Sequence, residues 1–484
     1  MILKQSSKAL GTIVLTALGA VCYALAFPPM EWASLGWLAF LCWMLAIGRR
    51  SERWQLYGML AGGYIVAALG LWWLTAIFDV YAACLWIIFA AYFAIWGGLL
   101  HMTEKQSMWL RLLWPAVAWC ALEYVKGELN PLRFSWLSLG YSQINWLGFT
   151  LASWIGVYGV SFLMVLWATL TMELLHTFHR DRLRKQGVAL AALAAIPLLA
   201  CIPAGEWSGP AIGTARLQQY SDDQGAAGIR TSNYGHEKAV DLVVWPEYCF
   251  NDNPSKPNAA CLRVIQRAAQ VSHWGIIVGA IQEAEDGADF YNTAFFIDPS
   301  GAIIGSAVKN QPIQLMKDGL PAKEVTVIEH AVADGATTRT LRFGVGICYD
   351  GSYQQYVRRM AQRDAETLIF PALNLEPWGA MQHTQHQRLF QFRAAETHLP
   401  VLVAAFSGPT FVAMPNGASG PLLPYHQTAE LDVEIPARGG RTLFILGGWL
   451  VAPLCLMLAI GALAFMLLHR RIKPQADQSQ EDGA

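Results

Sequence analysis

Three residues in this 484-residue chain put a reactive side chain at the end of an apolar run. They are Glu247 in "DLVVWPEYCF", Lys309 in "AIIGSAVKNQP" and Cys348 in "TLRFGVGICYDGSYQQYVRRM". A carboxylate, an ammonium and a thiol can serve as base, oxyanion partner and nucleophile in acyl transfer. Phe343–Ile347 reads as a buried strand, and beyond Gly351 the residues Tyr353, Tyr356, Val357 and Met360 recur at helical spacing. Cys348 therefore falls on a strand-to-helix corner. Such a corner exposes a nucleophile above a sheet and lets nearby N–H groups, including that of Tyr349, face an oxyanion. Pro246 stops the ladder before Glu247, which leaves a half-buried carboxylate of the kind that suits a general base. Singly, each residue also reads as ordinary structure: a packed thiol, an edge carboxylate, a solvated lysine. Their shared position at strand ends makes them a set.

The elements that must hold this set lie between about residues 204 and 440. Strand-like runs there are "DLVVWPE", "WGIIVGA", "YNTAFFID", "AIIGSAV", "LRFGVGIC", "TLIFPAL" and "PVLVAAFS". Helical patterns cover Pro257–Ser272, Tyr353–Arg363 and His383–His398. Several strands are apolar throughout, as in a sheet covered on both faces, so we expect an α/β layered domain. Parallel strands in such a domain bring their C-terminal ends to one edge, where sites form.

The rest of the chain is different. Hydrophobic residues make up 54% of the sequence and charged residues 14%, too apolar for an ordinary soluble protein. Seven apolar stretches precede residue 204: Ala9–Phe27, Trp32–Ile47, Leu56–Ile77, Tyr81–Leu100, Met108–Tyr124, Ala152–Leu175 and Val188–Ile202. Each is read as a membrane span, with an eighth at Leu443–Leu468. Lys4, Lys8, Arg49, Arg50, Arg53, Lys105, Arg111, Arg180, Arg182, Arg184 and Lys185 fall on one side if the spans alternate. Arg470, Arg471 and Lys473 follow the eighth span on that same side. The opposite short loops carry chiefly Lys126 and Arg133. This asymmetry makes both termini cytoplasmic and the domain between spans seven and eight extracytoplasmic. The expected divisions are a membrane domain over 1–203, a catalytic domain over 204–440, a final span over 441–469 and a structureless cytoplasmic tail over 470–484. A formal charge of -1 makes nucleic acid an unexpected partner. The nine cysteines lack paired spacing, so neither a zinc ribbon nor a disulfide framework is expected.

The order Glu247, Lys309, Cys348, with "WPE" and "GICYD" around the first and last, resembles the nitrilase (carbon–nitrogen hydrolase) superfamily. "FRAAE", Phe392–Glu396, resembles its later helix. Such a domain between seven spans and a final one resembles the apolipoprotein N-acyltransferase family, as do "LGYSQINWLGFTLASWIGVYGVSFL" and "LAFPPMEWASLGWLAF". The resemblance implies a multi-span α-helical membrane domain joined to an α/β nitrilase-like sandwich. It also implies a ping-pong acyltransferase of the bacterial inner membrane with a periplasmic catalytic domain, acting as a monomer without cofactor. A phospholipid would donate its acyl chain to Cys348, and the amine of a lipoprotein's diacylglyceryl-cysteine would accept it. Glu247 would be the base, and Lys309 with the Tyr349 N–H would hold the oxyanion. Asp350, Asn374, Trp378 and Glu396 would support the site. The chain departs from the family pattern where Lys317 sits near the place of a second glutamate, with Asp318 one position on, and where Tyr349-Asp350 replaces Tyr-Glu. These departures leave open another acceptor amine, release of the acyl group to water, or a scaffold that keeps only the fold.

Other residues have competing readings. His383 and His386 stand one helical turn apart, a spacing seen in metal sites, but no third ligand is evident. Glu396 suits an ion pair with Arg393 as well as a role beside Lys309. Cys249 and Cys261 share a compartment in which they could pair. Glu123 and Lys126 read as side chains reaching the membrane interface, or as the mouth of a lipid path. Trp72, Trp73, Trp136 and Trp146 read as interfacial belts. The three catalytic candidates are expected to converge in a cleft open to the outer leaflet.

Overall fold

All seven N-terminal apolar stretches fold as helices. The computed structural model describes residues 2–47, 52–102, 107–177, 183–221, 240–256, 259–285, 287–334 and 337–481. The helices are α1 (Ile2–Leu25), α2 (Ala33–Ile47), α3 (Glu52–Gly70), α4 (Ala82–His101), α5 (Met108–Tyr124), α6 (Trp146–His176) and α7 (Leu183–Leu199). Among the described residues, three helical stretches are long and apolar enough to cross a membrane: Trp72–His101, Trp146–His176 and Gly448–Met466. Leu10–Leu25, Ala33–Ala46 and Gln186–Leu199 are shorter apolar helices. Of the cations expected to orient the spans, Arg49, Arg50, Lys105, Arg180 and Arg182 lie outside the described residues. So do the side chains of Lys4, Lys8, Arg184, Lys185, Arg470, Arg471 and Lys473.

The helical unit comprises 1–151, 155–202 and 447–484. Its centre is aromatic: Phe40 meets Trp43, Trp96 and Trp119 at ring distances of 5.1, 5.0 and 4.8 Å. These are edge-on contacts, which aromatic rings favour over face-to-face stacking. Only two of the four tryptophans assigned to an interfacial belt are exposed, Trp72 and Trp146. Trp73 and Trp136 are buried, with ring centroids 4.9 Å apart. Glu123 and Lys126 do not reach an interface either, being 2% and 6% exposed. Between α5 and α6 the chain makes a π-helical turn (Val125–Leu129) and then runs mostly without helix. That stretch leaves backbone groups to be satisfied inside the protein. Glu123 Oε1 accepts the Leu139 N–H at 2.6 Å, and Lys126 Nζ donates to the Trp136 carbonyl at 2.9 Å. The two charges turn inward because the backbone of the connecting segment needs them there.

The second unit, 203–446 with 152–154, is built on two six-stranded sheets. The strands are β1 (Ala211–Gln219), β2 (Leu242–Val244), β3 (Gly275–Glu283), β4 (Phe290–Ile297), β5 (Ile303–Val308) and β6 (Thr326–Asp334). They continue with β7 (Thr337–Val345), β8 (Thr367–Leu373), β9 (Val401–Phe406), β10 (Phe411–Ala413), β11 (Ser419–Leu422) and β12 (Ala429–Pro436). One sheet runs β12-β1-β2-β3-β4-β5 and the other β11-β10-β9-β8-β7-β6. At the heart of each, three strands are parallel: β1, β2 and β3 in the first, β7, β8 and β9 in the second. The inner faces meet through pairs such as Phe296 with His330, at 5.2 Å.

Helices cover the outer faces. In α8 (Ala260–Ser272), Ile265, Ala268 and Ala269 join Val243, Trp245, Ile276 and Val278 in one buried cluster. On the other sheet lie α9 (Gln354–Gln362) and α10 (Gly379–Thr397), with Phe390 4.9 Å from Phe370 of β8. This is the nitrilase-like α/β sandwich expected from the sequence. The final helix α11 (Val451–Glu481) continues as helix beyond residue 470, where the sequence suggested a structureless tail.

Candidate active site

Glu247, Lys309 and Cys348 each follow a strand, respectively β2, β5 and β7. Glu247 sits on a turn laced to β3: Trp245 N–H bonds the Ile277 carbonyl at 2.8 Å and Phe250 N–H the Gly279 carbonyl at 3.3 Å. The turn approaches β3 so closely that only glycine fits at 279. A Cβ there would stand 2.5 Å from the Pro246 oxygen and 2.6 Å from Glu247 Cα. Cys348 opens a short 3₁₀ turn, Cys348–Ser352, with φ at +45°. A left-handed cysteine is unusual, and surrounding structure must hold it. Asp350 supplies part of that hold. Its buried carboxylate accepts the N–H groups of Ile347, Asn310 and Gln311 at 3.0, 3.0 and 2.7 Å. It thereby ties the loop after Lys309 to the cysteine corner. Burial pushes the Asp350 carboxyl up to about 7, against those N–H bonds and Lys309.

Glu247 and Lys309 are in contact. Lys309 Nζ donates to Glu247 Oε1 at 2.8 Å and to Asp318 Oδ2 at 2.7 Å. Asn292 Nδ2 donates to Glu247 Oε1 at 2.6 Å and to Asp318 Oδ1 at 3.1 Å. Asp318 also accepts the Tyr248 hydroxyl at 2.9 Å and the Ile313 N–H at 2.8 Å. The oxygens of the two carboxylates are thus satisfied with one exception. Glu247 Oε2 is buried and makes no hydrogen bond. Leaving such an oxygen unpaired costs about 1–3 kcal/mol or more, so its retention calls for a reason.

The electrostatics agree with a coupled centre. Burial raises the Glu247 carboxyl above its ordinary range; Lys309 opposes this and Asp318 reinforces it. Burial disfavours the Lys309 ammonium, yet Glu247 and Asp318 outweigh it and hold the amine protonated. Burial raises the Cys348 thiol well above its usual value, with Glu247 adding to the shift and Lys309 opposing it. The thiol rests as S–H, weakly donated to the Leu373 carbonyl at 3.7 Å. To act as a nucleophile it would need a base.

Two expectations need correction. The centre is not an open cleft: Cys348 is 3% exposed, and Tyr349, Asp350, Gly351 and Ser352 around it are buried. Glu396 does not sit with the lysine. Its Oε2 lies 3.1 Å from Arg393 Nε and its Oε1 accepts Gln354 Nε2 at 2.6 Å, so it joins α10 to α9. Asn374 is buried next to Leu373, the residue that receives the thiol, with its Nδ2 2.9 Å from Gln382 Oε1. Trp378 is buried in the turn leading into α10. Lys317 is exposed, and the next residue, Asp318, takes the inward place.

His386 and His383 have protein partners. His386 Nδ1 lies 3.2 Å from Asn374 Oδ1, and His383 Nε2 lies 3.1 Å from the Leu375 carbonyl. Burial, with His383 and Lys309 adding, pushes the His386 imidazole down to about 3, while the Cys348 backbone opposes the shift. Among the described residues no group of three or more His, Cys, Asp or Glu side chains could hold a metal. Cys249 and Cys261 are both free and buried. Asn292 and Tyr248 are residues that sequence reasoning did not place in the centre, and Asp318 was noted only as standing one position beyond the place of a second glutamate. The clearest signal was Asn292, an amide inside the otherwise apolar run "YNTAFFI".

Comparison with known proteins agrees with this architecture. The family model described as the apolipoprotein N-acyltransferase N-terminal domain matches residues 19–170, and the carbon-nitrogen hydrolase model matches 212–428. A Geobacter metallireducens protein named apolipoprotein N-acyltransferase is 26% identical over 506 residues, spanning 93% of this chain and 95% of that one. One of the same name from Ralstonia nicotianae is 27% identical, spanning 90% of this chain and 89% of its own length. Among solved structures, Saccharomyces cerevisiae Nit3, of the nitrilase superfamily, aligns with 48% of this chain and 93% of its own at 17% identity and a TM-score of 0.40. Both family models match in order, and these relatives named apolipoprotein N-acyltransferase align with the chain along nearly its full length.

Proposed function

We propose that this protein moves an acyl chain from a phospholipid, through a thioester on Cys348, to the N-terminal amine of a lipoprotein's diacylglyceryl-cysteine. The observation that carries the reading is Glu247 Oε2, an unpaired buried carboxylate oxygen in a centre that acts electrostatically on a protonated thiol. In the first half-reaction Glu247 takes the Cys348 proton as sulfur attacks the ester carbonyl. The C–S bond forms, the C–O bond breaks, and the lysophospholipid alkoxide leaves with the proton from Glu247. Lys309 and the Tyr349 N–H stabilise the tetrahedral oxyanion. In the second half the lipoprotein amine attacks the thioester and a C–N bond forms. Glu247 accepts the amine proton and the departing sulfur recovers it.

Burial of the thiol suits this chemistry, because a thioester shielded from water survives until an amine arrives. It also requires the site to open before each lipid binds. The charge pattern of the loops supports a bacterial inner-membrane enzyme with a periplasmic catalytic domain and cytoplasmic termini. We take the active unit to be a monomer. The test is intact-protein mass analysis after incubation with a phospholipid of defined acyl chain, followed by a diacylated lipopeptide. The expected result is an acyl adduct on wild type, none on Cys348→Ala, and transfer to the lipopeptide. Release of the acyl group only as free fatty acid would make the protein a hydrolase, and a Cys348→Ala protein of full activity would make it a scaffold.

A further inference from the structure

Tyr248 follows the candidate base directly and has a backbone few aromatic residues adopt, with φ at +52°. An L-residue with a bulky side chain avoids this region unless its surroundings enforce it, and such residues cluster at working sites. The enforcement is visible. The turn on either side is bonded to β3 at Ile277 and Gly279, and the missing Cβ of Gly279 gives the Tyr248 nitrogen its room. The left-handed turn leaves the half-buried phenol donating to Asp318 Oδ1 at 2.9 Å.

We propose that Tyr248 is a positioning residue for acyl transfer, its hydroxyl fixing Asp318 against Lys309 so that Glu247 keeps Oε2 free for the thiol. The proposal rests on the reading of Glu247, Lys309 and Cys348 given above. Asp318 has four donors: Tyr248, Asn292, Lys309 and Ile313. Asn292 is shared, standing nearer to Glu247 (2.6 Å) than to Asp318 (3.1 Å). Without the phenol, Oδ1 keeps only that longer bond. The Asn292 amide and the Lys309 ammonium would then divide differently between the two carboxylates. Burial, with the charges of Asp318 and Glu247, keeps the phenol protonated and a donor throughout the working range. The charged and titratable groups acting on this arrangement are Glu247, Lys309, Asp318 and Cys348.

The test is Tyr248→Phe, which removes one oxygen and keeps the ring. The readouts are single-turnover acylation of Cys348 by phospholipid, followed by mass, and the pH dependence of that rate. We expect acylation to slow about tenfold, the size of one lost hydrogen bond to a charged group, with apparent lipid affinity unchanged. With Asn292 and Lys309 drawn toward Asp318, Glu247 keeps fewer donors and takes up its proton at higher pH, so the acid limb of the profile moves upward. In an Asp318→Asn background, Tyr248→Phe should add little, because its acceptor is already altered. An unchanged rate and profile in Tyr248→Phe overturns the proposal. So does an equal loss in both backgrounds, or a loss of thermal stability alone. A wild-type protein that never acylates Cys348 overturns the underlying reading instead, and that result is visible before any Tyr248 variant is made.

Discussion

The protein buries a carboxylate beside an ammonium twice, once in the helical unit and once in the α/β unit, to different ends. In the helical unit Glu123 and Lys126 spend their hydrogen bonds on the backbone of the segment joining α5 and α6, at Leu139 and Trp136. Lys126 also stands 4.6 Å over the Phe89 ring. These charges complete a piece of chain that could not otherwise be dry. In the α/β unit Glu247, Lys309 and Asp318 bond to one another and to side chains on neighbouring loops and strands. Each unit leaves one of these carboxylate oxygens buried without a hydrogen bond, Glu123 Oε2 and Glu247 Oε2. Burial of charge does not by itself mark a site. What the charges are bonded to separates the two: backbone in the helical unit, other reactive side chains in the α/β unit.

The largest expected effect comes from removing the lysine at the candidate site. Lys309→Met should slow Cys348 acylation about a thousandfold, as loss of a preorganised oxyanion partner does. Single-turnover mass kinetics measures it, and a loss under tenfold would place Lys309 outside the chemistry. Lys126→Met is the matched change in the helical unit. It leaves the buried Trp136 carbonyl without its donor and should cost about 2 kcal/mol of stability. Thermal unfolding in detergent reads that loss, while the acylation rate of the surviving folded protein should stay near wild type. A selective loss of rate there would erase the contrast between the two pairs. Gly279→Ala should cost about 2 kcal/mol by overpacking the turn that carries Glu247. It should slow acylation as well, and calorimetry and kinetics on one preparation separate the two effects.

The smallest effect is in pH. A general base works only when unprotonated, and the Glu247 carboxyl is raised above its ordinary 4.5. Acylation should therefore rise with pH through an acid limb placed above that value. A limb at or below it would show that another group is the base.

Much of the α/β unit could be read from the chain because β2, β3, β4, β8 and β9 are largely buried and apolar. Strands β6 and β12 escaped because Glu329, His330, Glu430, Asp432 and Glu434 interrupt them, with one face toward water. Cys348 was legible since an apolar run and a helical pattern meet at it. Asp318 was not. It lies on a loop, and the Lys309 it binds is set by how β5 ends, which no local pattern encodes. His386 is a related case: the helical spacing to His383 is real, and the ring turns to Asn374 on another element. Glu123 and Lys126 read as interfacial because sequence cannot show that the segment after α5 folds back and needs inward donors and acceptors.

All of the proposed chemistry reduces to a single atom of one glutamate having been kept idle so that it can receive a proton from sulfur. Glu247→Gln retains the shape and the bonds from Lys309 and Asn292 but forfeits that basicity. Rapid-quench mass measurement of acyl-Cys348 should find this variant folded and slower by about a hundredfold or more. Acylation at the wild-type rate would contradict the assignment of Glu247 as the base.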